Sequence, residues 1–180
     1  MSFDGGATTS AEIPEVRARP ARVPVNLKVY VETSVVSYLT AWPGRDLVRA
    51  AHRQVTRDWW ATRGRFNLFA SQFVLDEAAA GDNDAAIRRL AILQEVALLE
   101  ITTDAVFLAE RLIAGGGLPQ KARVDSLHIA ISAVHGMDYL LTWNCKHIAN
   151  AALRGKIEDL CRVAGFEPPI ICTPLELQKG

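Results

Sequence analysis

The stretch from Arg123 to His147, RVDSLHIAISAVHGMDYLLTWNCKH, places the tightest limit on what the chain can fold into. Leu127, Ile129, Ala130, Ile131, Ala133 and Val134 leave little polar side to a helix, so protein must cover it nearly all round. Gly136 ends that helix in the left-handed conformation glycine favours. Tyr139, Leu140 and Leu141 make a short apolar run between polar residues, the pattern of a strand buried on both faces. Thr142, Trp143 and Asn144 emerge at its carboxyl end, which in an open parallel sheet is where ligands bind. Asp125 sits near the start of the helix, where its apolar surroundings demand a partner for a carboxylate.

The rest of the chain supplies more elements of the same kind. Strands are expected at Leu27 to Val31, Phe66 to Ala70, Val96 to Ile101 and Ile170 to Cys172. Helices are expected at Val35 to Thr40, capped by Thr33 or Ser34, and at Asp46 to Thr62, Gln72 to Ala80, Asn83 to Glu95, Asp104 to Ala114 and Ala152 to Ala164. Leu118-Pro119 starts the central helix, and Thr173-Pro174 caps a short final one. This alternation implies a three-layer α/β/α sandwich with a mostly parallel sheet of about five strands. Residues 1–26, rich in Gly, Ala, Thr, Pro and Arg, have no apolar period and read as a disordered tail ahead of a domain spanning 27–180. Arg17, Arg19 and Arg22 in it are either phosphate contacts or a solvated leader.

The chain has 180 residues and a net charge of zero, which argues against a broad basic surface that coats nucleic acid but leaves room for a local groove. Cys145, Cys161 and Cys172 lack C-x-x-C spacing and are odd in number, so a reducing cytoplasm is expected. The N-terminus lacks an apolar core, and no segment reaches the ~18 unbroken apolar residues of a membrane span.

Three carboxylates draw attention. Glu32 follows the first strand, Glu77 shares a helix face with Phe73 and Val74, and Asp125 opens the central helix. Asn144 follows the fourth strand. Carboxylates brought together repel until a proton or cation intervenes, and oxygen ligands favour Mg²⁺ or Mn²⁺. Such a site activates water for phosphodiester hydrolysis. The same acids also serve in plain capping turns and arginine pairs, with Arg123 a possible partner for Asp125.

The segments VYVETSVVSYL, FVLDEAAAG, ARVDSLHIAISAVHGMDYLLTWNCKHIAN and PPIICTPLEL resemble those of PIN-domain proteins of the VapC toxin type, from about Val29 to the C-terminus. The resemblance implies an α/β/α ribonuclease dependent on Mg²⁺ or Mn²⁺, the toxin of a toxin-antitoxin pair, homodimeric and silenced by a small protein antitoxin. It implies metal ligation by Glu32, Glu77 and Asp125, with Asn144 completing the catalytic set. Glu32 stands where the family usually has aspartate, moving the carboxylate by ~1.5 Å. Asn144 stands where a fourth aspartate is usual, keeping a carbonyl oxygen and losing a charge. A PIN-like module that binds RNA or a protein without cutting is the alternative, and a purely structural α/β domain is the third reading.

Thr33, Ser34 and Thr142 offer hydroxyls to the site or act as caps. His128, three residues after Asp125, can hydrogen-bond to it and reads as a supporting or core histidine. Arg45, Arg49, Arg53 and Arg57 form one helical stripe, facing either water or an RNA backbone, and Trp42, Trp59 and Trp60 flank it, more often core or interface anchors than base-stacking platforms. Lys146 and His147 are further candidate RNA contacts.

Overall fold

A computed structural model describes residues 26–178, so the tail expected over 1–26, with its arginines, lies outside the described residues except for Asn26. The strands are β1 (Leu27–Val31), β2 (Phe66–Ser71), β3 (Ala97–Leu99), β4 (Tyr139–Leu141) and β5 (Ile170–Cys172). The helices are α1 (Thr33–Thr40), α2 (Leu47–Ala61), α3 (Gln72–Ala79), α4 (Asn83–Leu93), α5 (Thr103–Ala114), α6 (Arg123–Val134) and α7 (Ala151–Val163). All five strands are parallel, in the order β3-β2-β1-β4-β5.

That order dictates the layers. The chain steps outward from β1 to β3, returns across the sheet, and steps outward again from β4 to β5. Right-handed crossovers put the helices of the first run on one face and those of the second on the other. Accordingly α1 to α4 pack among themselves, and α5 packs on α6 and α7. The sheet is therefore covered on both sides, which explains why Val29, Tyr30 and Val31 are all fully buried. The order reverses between β1 and β4, so the crevice beyond their carboxyl ends is the topological switch point.

The central helix is as buried as its sequence demands: Ser126, His128 and all residues from Ile129 to Ala133 are buried. Its end is closed by Gly136 at φ +59, with Gly136 N–H donating to Ala133 O at 3.0 Å and Met137 N–H to Ser132 O at 2.9 Å.

Four local expectations need correction. Glu32, not Thr33 or Ser34, is the N-cap of α1: it is extended and its carboxylate accepts from Ser34 N–H, while both hydroxyl residues lie inside the first turn. The central helix begins at Arg123 rather than at Pro119, because residues 119–122 close a separate turn through Ala122 N–H to Pro119 O at 2.9 Å. β3 spans three residues, Ala97–Leu99, not the six from Val96 to Ile101. After β5, Thr173 and Glu176 cap each other reciprocally, but among the described residues only a turn follows, not a helix.

Glycine substitutions test these backbone assignments. Gly136→Ala forces a Cβ into the left-handed region and should destabilise the fold by about 1–2 kcal/mol. Gly155→Ala, at an exposed position of α7 with nothing within 4 Å of the added Cβ, should stabilise it by about 0.5–1 kcal/mol. Opposite shifts of the urea midpoint are the expected result.

Candidate active site at the β1–β4 switch point

Glu32 occupies the centre of the switch point. Its backbone N–H donates to Leu141 O at 3.0 Å, tying the end of β1 to the end of β4. Its side chain is almost wholly buried and accepts three hydrogen bonds: from Ser34 N–H at 3.0 Å, from Ser34 Oγ, and from Thr142 Oγ1 at 2.7 Å. A buried carboxylate is tolerable on those terms, and the α1 N-terminus adds a favourable field. Ser34 Oγ in turn accepts from Trp143 N–H at 2.8 Å, and Thr142 Oγ1 accepts from Asn144 N–H at 2.9 Å.

Glu77 comes from α3 and stays at the rim, with its side chain 39% exposed. Its Oε2 accepts from Thr33 Oγ1 at 2.5 Å and from His128 Nε2 at 3.0 Å. Burial pushes the Glu77 carboxyl up, but the hydrogen bonds from His128 and Thr33 outweigh it and hold it below its ordinary value of 4.5. Ligand atoms of Glu32, Glu77 and His128 all lie within 4.8 Å of one another.

His128 does not bond to Asp125, contrary to the expectation from their spacing. It is fully buried and reaches back across β1, where its Nδ1 lies 2.8 Å from the Tyr30 hydroxyl. That hydroxyl lies 2.7 Å from Ser71 Oγ. An ionised carboxylate only accepts, so the hydrogens run Ser71 to Tyr30 to His128 to Glu77. Burial pushes the Tyr30 phenol far above its usual value, so it remains a neutral link.

Asp125 is engaged elsewhere. Its Oδ1 accepts from Asn144 Nδ2 at 2.8 Å, and its Oδ2 accepts from His147 Nδ1 at 2.6 Å. The Asn144 amide orientation is forced, since its Oδ1 accepts from the His147 backbone N–H at 3.1 Å. A continuous chain therefore links Glu32, Thr142, Asn144, Asp125 and His147. Arg123 makes no ion pair among the described residues.

The other candidates lie further out. Arg45 and Arg49 are exposed on the α1–α2 side of the crevice, and Lys146 is exposed in the turn after β4. Of the tryptophans expected as anchors, Trp59 is buried whereas Trp42 is 74% exposed. Cys161 and Cys172 are free and buried, and burial pushes their thiols up to about 11 and about 12, which makes them poor nucleophiles. The Tyr30–Ser71 relay escaped sequence reasoning; the available signal was a tyrosine in a strand otherwise too apolar to satisfy its hydroxyl. Also unforeseen was Trp143, which stacks on His52 at 3.9 Å between ring centroids and donates to Thr56 Oγ1 at 2.8 Å.

Compared with solved structures, the chain is similar to VapC20 of Mycobacterium tuberculosis, described as a Sarcin-Ricin loop cleaving toxin. The TM-score is 0.54 at 19% identity, covering 68% of this chain and 95% of that one. It is also similar to VapBC2 from Rickettsia felis, described as bound to a DNA fragment from their promoter. There the TM-score is 0.55 at 14% identity, covering 82% of this chain and 98% of that one. The chain has the fold of the VapC-type PIN domains. No family model and no curated protein matches the sequence. Within the PIN fold of this chain, Glu32 and Asn144 follow the two strands that flank the switch point.

Two outcomes test this geometry. Because the folded-state value of Glu77 lies below 4.5, its stabilising effect is present above that pH and is lost as pH falls through the folded value. The gap in urea midpoint between wild type and Glu77→Gln should therefore be widest above pH 4.5 and close in acid. Asn144→Asp replaces a donor with a carboxylate oxygen beside Asp125 Oδ1, now 2.8 Å from Nδ2. In EDTA it should cost about 1–3 kcal/mol, and Mn²⁺ should raise its Tm more than that of wild type.

Proposed function

We propose that this chain is a VapC-type, metal-dependent endoribonuclease that hydrolyses RNA phosphodiester bonds, the toxin of a toxin-antitoxin pair. The observation that carries the reading is the approach of Glu32 and Glu77 to each other and to His128, with ligand atoms within 4.8 Å, at the switch point of a PIN fold. Two carboxylates and an imidazole at that separation suit a divalent cation. Glu32, Glu77 and Asp125 are proposed as the carboxylate ligands of Mg²⁺ or Mn²⁺, with Asn144 completing the site. When bound, such a cation lowers the pKa of water and stabilises charge on the phosphate.

The chain's own residues prepare that site. Thr142 and Ser34 fix the Glu32 carboxylate. Thr33 fixes Glu77. Tyr30 and Ser71 hold the His128 ring and, because both hydroxyls can donate or accept, leave its Nε2 able to give an electron pair as well as a hydrogen. Asn144 aims the Asp125 carboxylate, and Asp125 orients His147 at the mouth. Arg45, Arg49, Lys146 and His147 are proposed to meet RNA. The proposed partners are the RNA substrate, a small protein antitoxin and a second copy of the chain, in the cytoplasm. Among the described residues no helix is long and apolar enough to cross a membrane.

The Asn144–Asp125 hydrogen bond favours a second reading, a PIN-like module that binds RNA or a protein without cutting. That bond satisfies by a neutral donor what a fourth acid would leave to a cation.

Purified protein incubated with a mixed RNA panel distinguishes the two. Cutting in Mn²⁺ or Mg²⁺ that EDTA abolishes, and that Asp125→Asn and Glu77→Gln each lower by about 100-fold or more, is expected. A folded, antitoxin-free protein that leaves every RNA intact would move the assignment to the non-cutting module.

A further inference from the structure

The crevice does not end at Glu32. A groove of about 550 Å³ is lined by Ser34 and Tyr38 of α1, by Trp42 and Arg45 of the α1–α2 turn, and by Arg49 of α2. Ser34 belongs to both places, since its hydroxyl donates to Glu32. The groove thus adjoins the candidate active site at Ser34, and its volume is in the range that takes a nucleotide-sized ligand.

Its chemistry is opposite to that of the acidic site. Arg45 and Arg49 line it, exposed, and neither guanidinium has a hydrogen bond or ion pair among the described residues. Asp46 also lines it, but its carboxylate serves as the α2 N-cap, accepting from Val48 and Arg49 N–H at 2.9 and 3.1 Å. Positive charge therefore dominates in a protein whose net charge is zero.

The far end is a fixed aromatic surface. Trp42 is 74% exposed, yet the Arg88 guanidinium stands 5.0 Å from its ring centroid, and Arg88 Nε points at Thr40 O at 3.4 Å. Arg53 Nε donates to Ala41 O at 2.8 Å and braces the same turn from α2. A large apolar ring held in water by a cation at its face is poorly used as packing, but it is ready to stack on a base. A basic groove leading to an aromatic platform is how single-stranded nucleic acid is held without reading its sequence.

We propose that this groove is a track for single-stranded RNA, in which one base stacks on Trp42 and the adjoining phosphates lie on Arg45 and Arg49. The strand then continues past Ser34 to the acidic cluster. α1 has eight residues, so its axis measures about 12 Å. The base on Trp42 therefore belongs to a neighbouring nucleotide, not to the phosphodiester being cut. This inference rests on the nuclease reading for its direction of travel, but the binding step requires no cation.

Anisotropy of a fluorescein-labelled ten-nucleotide single-stranded RNA, titrated with the full chain in EDTA, reads binding alone. Trp42→Ala should weaken Kd by about 10-fold or more, with Trp42→Phe recovering part of the loss. Arg45→Ala combined with Arg49→Ala should weaken it and lower the salt slope by about 1.4. Arg57→Ala, on the same helix but outside the groove, should change neither. With Mn²⁺ present, Trp42→Ala should raise KM and leave kcat unaltered. No RNA binding by the wild type, or full-strength binding by folded Trp42→Ala and the double arginine variant, would overturn the proposal. So would variants that lose affinity for an acidic peptide but keep it for RNA, which would make the groove a protein-docking site. Wild type that binds here but never cuts would sink the nuclease reading and leave the track standing. Cutting that these variants leave untouched would do the reverse.

Discussion

Everything at the switch point depends on one buried carboxylate being satisfied. Glu32 closes β1, caps α1, and reaches Thr142 beyond β4, so one side chain joins the two strands between which the sheet order reverses. Without its three donors a carboxylate so thoroughly removed from water would carry a large desolvation cost. The donors are in place because β1 and β4 run parallel in register, with Val31 opposite Leu141, which brings residues 32 and 142 side by side. Its two carboxylate oxygens divide the work, Oε1 capping its own helix and Oε2 reaching the neighbouring strand end.

The same principle extends outward through neutral groups. Each of the three acids meets at least two donor hydrogens: Glu32 through Ser34 and Thr142, Glu77 through Thr33 and His128, Asp125 through Asn144 and His147. Acids gathered at a strand end would otherwise repel and require a cation or proton merely to fold. Here hydrogen-bond donors offset part of that repulsion at each acid. A cation entering such a site competes with donors already in place.

How far the sequence revealed this varies with the range of the interaction involved. The five strands and most helices were legible because burial imposes periods of two and 3.6 on the residues that meet the core. Glu32, Glu77 and Asp125 were legible as chemistry, since acids at strand ends and on apolar helix faces stand out. Their partners were not. The sequence points to Thr33 or Ser34 as the cap of α1 because short hydroxyl side chains are preferred there and glutamate is not. In the structure they are drawn onto Glu77 and Glu32, an outcome set by residues 44 positions apart in one case. Helical spacing alone pairs His128 with Asp125. Its real partners, Tyr30 and Glu77, lie on β1 and α3, and only the assembled sheet brings them together. For Trp42 the sequence favours an anchor over a stacking platform because apolar rings are usually buried, whereas its exposure goes with its place in the turn between α1 and α2.

Asn144 shows why a single amide matters more than its loss of charge suggests. Its backbone N–H bonds to Thr142, its Oδ1 takes the His147 N–H, and its Nδ2 is left with one direction, toward Asp125. The turn after β4 thereby becomes a rigid bracket that holds Asp125 and His147 against each other at 2.6 Å. An aspartate at 144 would keep the backbone half of that bracket and reverse the sign of the other half, from attraction to repulsion. The residue thus decides whether α6 and the β4 turn are joined by a hydrogen bond or wait for a cation to join them. In this chain the hydrogen bond joins them, so Asn144 and His147 together fix the third acid, while Glu77 stays exposed at the rim.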